Sequence, residues 1–267
     1  MASLSSKPAL ITGAGRGIGR AIAQRLAADG APVTLLARSR GDIDAVAAGI
    51  VARGGSALAI AADVTDARAV AAAMTIASTR FGAVRILVNN AGKPGPFGPI
   101  GVADPQSWWA SQQLLQYAPL LTMSAAIPGM QKAGGGRIIN IVSSAATIPI
   151  PHMSAYAVGK CAALRLTETV DLEQRGHGIR AFALHPGTIM TDMARSTMSD
   201  PEAIRWIPEG IAMLNGITTE ESAADLKRCV EVVAALAAGQ YELLAGRYLH
   251  ISFDLDALAR AAALHDT

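Results

Sequence analysis

Short apolar runs recur along the chain, separated by longer segments rich in helix formers, and this alternation predicts strands followed by helices. Pro8 to Thr12 reads as a strand that runs straight into a glycine-rich turn, after which Arg20 to Asp29 continues as a helix and stops at Gly30. Pro32 to Ala37 is a second strand, and Asp42 to Arg53 a helix ended by Gly54 and Gly55. Ala57 to Val64 is the third strand, and Asp66 is placed to cap the helix that runs on to Phe81 and Gly82. Arg85 to Asn89 is the fourth. The stretch KPGPFGPIG, Lys93 to Gly101, is too rich in proline and glycine for either element and is expected to be a loop. Asp104 to Lys132 reads as a capped helix, broken near Pro119 and ended around Pro128 and Gly129. Ile138 to Val142 reads as a buried strand, Ser154 to Arg175 as a helix, and Gly178 to Leu184 as the sixth strand. Thr218 to Ala238 is a further helix and Gly246 to Ile251 a last strand. The closing SFDLDALARAAALHDT is an amphipathic helical tail, suited to covering the sheet edge or a neighbouring subunit, or to acting as a lid.

The first turn, TGAGRGIG, carries Gly13, Gly17 and Gly19, which permit a tight backbone and let a pyrophosphate rest on the amides at the positive end of the following helix. Its glycine spacing differs from G-x-G-x-x-G, so the strand before it and the helix after it carry that reading against mere turn chemistry. An acidic residue at the end of the second strand would accept bonds from the ribose hydroxyls of NAD. Here the chain has Ala37, Arg38, Ser39 and Arg40, with Arg16 inside the glycine turn, and guanidiniums suit a 2′-phosphate. NADP is therefore expected in preference to NAD, the alternative being that these arginines are solvated loop charges. Asp63 would contact adenine or cap its own turn.

A second constellation lies in SSAATIPIPHMSAYAVGK. Tyr156 and Lys160 are one helical turn apart, so an ammonium could tune a phenol whose ordinary pKa of about 10 makes it a poor proton donor or acceptor at neutral pH. Ser143, thirteen residues before Tyr156 and just past a buried strand, could hold a substrate oxygen beside them. His152 would bind a polar substrate group, act as an extra base, or simply be an exposed loop histidine.

TGAGRGIG at 12–19, Asp63 with Val64, NNAG at 89–92, Ser143, Tyr156-x-x-x-Lys160 and Pro186 with Gly187 occur in an order and spacing that resembles the classical short-chain dehydrogenases/reductases, over residues 7–192. The resemblance implies an α/β fold: one doubly wound Rossmann-type domain with a mostly parallel seven-stranded sheet and helices on both faces. Residues 7–92 would be mainly the cofactor half, 93–253 the catalytic and substrate half, and 254–267 the tail. Tyr156 would be the proton donor, Lys160 would bind the nicotinamide ribose and lower the tyrosine pKa, and Ser143 would position the substrate oxygen. Cofactor contacts are carried to Gly13, Arg16, Gly17, Ile18 and Gly19, to Arg38, Ser39, Asp63 and Val64, and to Asn89, Ala91 and Gly92. Tyr156, Lys160, Pro186 and Gly187 join them, with Ile189 binding the carboxamide through its backbone and Thr191 contacting carboxamide or diphosphate. The helix pairing implied for the family would make this chain a homodimer or homotetramer. One position departs. Where the family commonly carries an asparagine that completes a catalytic tetrad and helps hold a water on the way from lysine to solvent, this chain has Leu115, which has no hydrogen-bonding side chain. Either carbonyls freed by a kink near Pro119 hold that water, aided by Gln112, Gln113 or Gln116, or the site has been rebuilt.

With 267 residues, 51% of them hydrophobic and 16% charged, the chain is suited to burying one large core. A net charge of +2 with no long charged run points away from nucleic acid and membrane surfaces. Cys161 and Cys229 are in no metal-like spacing and read as buried thiols of a reduced, cytoplasmic protein, and the opening MASLSSKPALITG has no leader-like apolar core. No metal site is expected. Methionines 190, 193, 198 and 213 suggest an adaptable apolar pocket. The expected activity is an NADP(H)-dependent oxidoreductase moving a hydride between nicotinamide and a ketone or secondary alcohol on a largely apolar substrate. The alternatives are the same scaffold acting on imines or catalysing a cyclisation or elimination, and a cofactor-binding protein without turnover.

Overall fold

The computed structural model describes residues 4, 5 and 7–265. Residues 1–3 and 6 of the opening stretch, read as lacking a leader-like core, and 266–267 of the tail lie outside the described residues. Seven strands form one sheet: β1 (Ala9–Thr12), β2 (Val33–Ala37), β3 (Ala57–Ala61), β4 (Ile86–Asn89), β5 (Gly136–Ile141), β6 (Ile179–His185) and β7 (Tyr248–His250). Their order is β3-β2-β1-β4-β5-β6-β7, and every pairing is parallel. The order of the winding reverses between β1 and β4, and at such a switch point the carboxyl ends of the strands open a crevice.

Both faces of the sheet are covered, so the strands read as continuous apolar runs whose alternate side chains enter different cores. Ile11, Leu35, Val88 and Ile139 pack with α1 (Gly17–Ala28), α2 (Arg40–Ala52), α10 (Thr219–Ala238) and α11 (Leu255–His265). Leu10, Leu36, Leu87 and Ile138 pack against α3 (Ala67–Phe81), α5 (Ala118–Lys132) and α6 (Ser154–Gln174). The helix ends have the chemistry their sequences promise. Asp66 accepts from the amides of Arg68 and Ala69, and Thr218 with Glu221 closes a capping box on α10. The tail is the helix expected of it, and Leu255 and Ala262 bury it on the β7 side of the core. Among the described residues, no helix is long and apolar enough to cross a membrane.

Three elements differ most from expectation. Helix α1 begins at Gly17, inside the glycine turn, because its first turn already closes from Arg20 N–H to the Arg16 carbonyl. Strand β3 ends at Ala61 rather than Val64, since Asp63 bends the chain by accepting from both the amide and the hydroxyl of Thr65. The long helix is divided into α4 (Pro105–Gln112), a widened π turn (Gln113–Tyr117) and α5, and it runs through Pro128 to Lys132 instead of stopping there. Pro119 sits in the first turn of α5, where its missing N–H is least costly. A π turn inserts a residue into the helix and is frequent at functional sites; this one is centred on Leu115.

Cys161 is exposed, contrary to the expectation of a buried thiol; Cys229 is buried, and both are free. Burial pushes the Cys229 thiol up to about 12, so it is inert at neutral pH.

Candidate active site

A cleft of about 980 Å³ runs across the carboxyl ends of the strands. Its wall is drawn from the glycine turn after β1, the ends of β2 and β3, the loop after β4, the π turn, α6 and the loop after β6. Gly13 and Gly17 both hold positive φ, +64° and +53°, a region open to glycine at little cost. The turn is fastened from the far side of the switch point. Asn90 Nδ2 donates to the carbonyls of Thr12 (3.0 Å) and Gly13 (3.3 Å), while Thr12 Oγ1 accepts from the amides of Asn90 and Ala91 at 3.0 and 3.1 Å.

Of the residues singled out by sequence, Gly13, Arg16, Gly17, Ile18, Arg38, Ser39, Asp63, Val64, Ala91, Gly92, Tyr156, Lys160, Pro186 and Thr191 line this cleft. Gly19, Asn89, Gly187, Ile189 and Ser143 lie outside its wall. Gly19 is instead a packing glycine, since a Cβ there would strike the Gly13 carbonyl. Asn89 is turned into the protein. Its Nδ2 donates to Asn140 Oδ1 at 2.8 Å, its Oδ1 accepts from Thr122 at 2.6 Å, and Asn140 passes the chain on to Thr167 at 2.8 Å. This satisfied buried network ties β4 and β5 to α5 and α6. Gly187 is a turn glycine (φ +81°) whose Cβ position is taken by Asp225 and Ile251, and Ile189 packs against the core.

At the β2 and β3 end of the cleft, Arg38 and Ser39 stand at the start of α2, the positive end of a helix dipole. Arg40 is turned aside into an exposed ion pair with Asp44 (3.0 Å) and takes no part in the wall. Arg16 reaches Asp192 across the cleft at 3.8 Å, a solvent-exposed contact of little energetic weight. The Asp63 carboxyl lies below its ordinary range, chiefly because the Thr65 amide binds it. Its charge is therefore kept, and Arg38 faces it.

At the other end, Tyr156 and Lys160 project from α6, and Ser143, just past β5, stands close enough to the phenol to draw its pKa down, while its Oγ accepts from the Ala145 amide at 3.3 Å. The Lys160 ammonium is 5.7 Å from the tyrosine ring centre and donates to the Ile141 carbonyl at 2.7 Å. The expected tuning of the phenol by the lysine is not the dominant effect. Crowding by protein raises the Tyr156 pKa, with the Ser143 hydrogen bond pulling it back, while burial lowers Lys160 to about 8. The tyrosine thus rests as a neutral phenol.

Leu115 is buried in the angle between Gly92 and Gly159. A Cβ on Gly159 would lie 2.6 Å from Leu115 Cβ, and one on Gly92 3.4 Å from Leu115 Cδ2 and 3.9 Å from Lys160 Nζ. Gln112 donates through Nε2 to the Ala155 carbonyl at 2.8 Å and does not line the cleft, whereas Gln113 does. Trp108 is tied to Ser154 (3.1 Å); Trp109 and Tyr117 face solvent.

Four contributors had no signal in the sequence. Asn90 was hidden inside the NNAG motif. Asp225 and Ser222 reach from α10 to the amides of Thr188 (2.8 Å) and Met190 (2.9 Å), which pins the loop after β6. His185 Nδ1 accepts from the Gly187 amide at 3.0 Å, and its ring stacks on His250 with centres 4.4 Å apart. Burial first, then the neighbouring His250, lowers His185 from 6.5 to about 4. A depressed histidine supports the fold fully above its unfolded pKa and loses that support as pH falls through its folded one. Denaturant unfolding is therefore expected to show stability flat above pH 6.5 and declining towards pH 4, with a shallower decline in His185→Asn.

Residues 7–202 match the family model described as short chain dehydrogenase. The chain is 32% identical over 252 residues to the short chain dehydrogenase mpl6 of Monascus purpureus, covering 92% of this chain and 80% of that one. It is 36% identical to human dehydrogenase/reductase SDR family member 4 over 199 residues, 74% of this chain and 72% of that one. Among solved structures, levodione reductase superposes with a TM-score of 0.82 at 27% identity, over 92% of this chain and 96% of that chain. A putative short-chain alcohol dehydrogenase of Sinorhizobium meliloti gives 0.77 at 28%, over 96% and 98%. With the parallel seven-stranded sheet and the cleft at its switch point, these likenesses agree on one assignment: the chain belongs to the short-chain dehydrogenase/reductase family of oxidoreductases.

Proposed function

We propose that the protein transfers a hydride between NADP(H) and a ketone or secondary alcohol on a largely apolar substrate. The observation that carries this reading is Tyr156 and Lys160 on the wall of one cleft, with Ser143 beside the tyrosine just behind that wall and Arg38 on the same cleft's lining. The cleft's volume suits a dinucleotide, and the side-chain-free positions at Gly13 and Gly17 leave the α1 amides open to a pyrophosphate. Arg38 at the α2 start suits a 2′-phosphate through paired N–H donors.

A bound nicotinamide would supply the hydride, and the remaining work falls to the chain. Ser143 holds the carbonyl oxygen, and Tyr156 gives its hydroxyl proton to that oxygen as charge develops there. Lys160 steadies the resulting phenolate and the ribose. Its proton supply passes through the π turn, where Pro119 has no N–H to offer the Leu115 carbonyl four residues back. Loop 186–191, pinned by Asp225 and Ser222 through the amides of Thr188 and Met190, would help hold the nicotinamide. Met193 on the cleft wall fits an apolar substrate. The exposed Trp109 on α4 and Leu172 on α6 support association as a homodimer or homotetramer, and we place the protein in the cytoplasm.

NADPH absorbance followed with apolar ketones, diketones and cyclic imines tests the reading. Ketone-dependent consumption is the expected result. Consumption with imines alone would favour the rebuilt site that Leu115 suggests, and binding without consumption on any of them would overturn the redox assignment for these substrates.

A further inference from the structure

Beyond the cleft wall, three segments meet at one side chain. Trp206 is the last residue of α8 (Pro201–Trp206), a short helix between α7 (Asp192–Met198) and α9 (Pro208–Asn215). Its own helix sets its orientation. The indole Nε1–H donates to Glu202 Oε2 at 3.0 Å, and the Arg205 guanidinium lies 4.6 Å from the ring centre. The ring then crosses to the catalytic half, where it lies against the His152 imidazole with centres 5.2 Å apart and planes tilted by 38°. The floor beneath it is Gly98, at φ +123°, where an added Cβ would stand 3.3 Å from the indole nitrogen. Gly98 and His152 are themselves joined, amide to carbonyl, at 2.9 Å.

His152 has a feature that packing alone does not require. It is one of two non-glycine residues among those described with positive φ, at 63°, a conformation that costs a histidine of the order of 1 kcal/mol and persists only where its surroundings impose it. That conformation sends its carbonyl to Gly98 while its ring meets Trp206. It also sits between Ser143 and Tyr156, four residues before the latter. The 192–215 segment is thus joined to the loop that runs from Ser143 to the start of α6, which carries Tyr156. The open cleft extends to Pro94 on one side and Ser196 on the other, and the clasp lies beyond both.

We propose that Trp206, seated on His152 and Gly98, is the latch that holds the 192–215 segment over the substrate end of the site, and that it sets the upper limit of substrate width. This rests on the oxidoreductase reading for the word substrate, but not for the latch. Opening must separate Trp206 from His152, since the indole is anchored on its own helix and leaves with it. A wide ketone would hold the latch open against that contact, and a narrow one would not.

Two readouts test it on the full chain. Amide hydrogen exchange over 192–215 is expected to quicken about tenfold in Trp206→Ala and in His152→Gly, with exchange over the β1–β4 half unchanged and Trp206→Phe close to wild type. His152→Gly removes the ring but relieves the backbone, so a loss of protection there reports the contact and not misfolding. In turnover, Trp206→Ala is expected to raise kcat/KM for wide relative to narrow apolar ketones about tenfold, with NADPH binding unchanged. Exchange over 192–215 equal to wild type in both variants would overturn the latch, as would quickening spread evenly over the whole chain. Exchange needs no turnover, so a chain that consumes no NADPH refutes the activity while leaving the latch to be decided on its own.

Discussion

Tyr156→Phe is expected to lower kcat by about 10²–10⁴-fold, the usual worth of a positioned general acid, while NADPH affinity and thermal stability stay near wild type. The substitution removes one oxygen from a ring that otherwise keeps its packing, and that oxygen is the one Ser143 acts on. The surrounding pKa pattern fixes the pH signature. Burial raises the tyrosine, so at neutral pH it is a phenol with a proton to give, and the reduction rate should be level through neutrality and fall only at alkaline pH. Oxidation of the alcohol needs the phenolate and should rise over the same alkaline range. Lys160, brought down to about 8, loses its charge on the way, and with it the stabilisation of that phenolate. Stopped-flow rates in both directions, against pH, measure this. A protein that merely binds the dinucleotide would lose nothing with Tyr156→Phe.

The second large effect belongs to the opposite end of the cleft. Arg38→Ala is expected to raise KM for NADPH by roughly 10–100-fold, the worth of a charge-assisted hydrogen bond of about 1.5–3 kcal/mol, and to leave KM for NADH nearly unchanged. Arg38 is the guanidinium left to do this. Arg40 is paired with Asp44, and Arg16 stands across the mouth with Asp192. Because the site is open to solvent, the wild-type preference for NADPH should shrink as salt is added, and the variant's should not. Equal loss for both cofactors would show that Arg38 acts through the shape of the loop instead of through phosphate.

The strands and helices were readable because their signals are local: apolar runs for strands, and Asp66 and Thr218 in front of helices. The doubly wound, mostly parallel sheet was not local information and came only with the family likeness, and the strand order came from the structure. The same division holds at the site. Tyr156 and Lys160 announce themselves by their spacing on one helix face, and Arg38 by following an apolar run. The π turn does not, because glutamines and leucines at 113–117 are ordinary helix formers, and the extra residue is forced by what packs against it. Asp225 and Ser222 lie in a helix more than thirty residues beyond the loop they hold, so no spacing rule reaches them. Asn89 and Asn90 are adjacent and chemically identical, yet one faces inward to Asn140 and the other braces the glycine turn. Only the alternation of a strand, together with where that strand stops, separates them.

The contact between Leu115 and Gly159 bears on how much freedom this scaffold has to vary. The atom that comes nearest to the space above Gly159 is the leucine's Cβ, which every residue except glycine possesses. The two helices therefore bear on each other through backbone and Cβ, and what extends beyond that Cβ is an interchangeable fitting. Lys160 follows Gly159 directly, so its height over the cleft is set by the bearing and not by the fitting. A leucine and an asparagine at 115 would hold the lysine in the same place while offering it different company. The chemistry beside the ammonium is then open to revision in a single step, without the geometry of Tyr156 and Lys160 having to be won again.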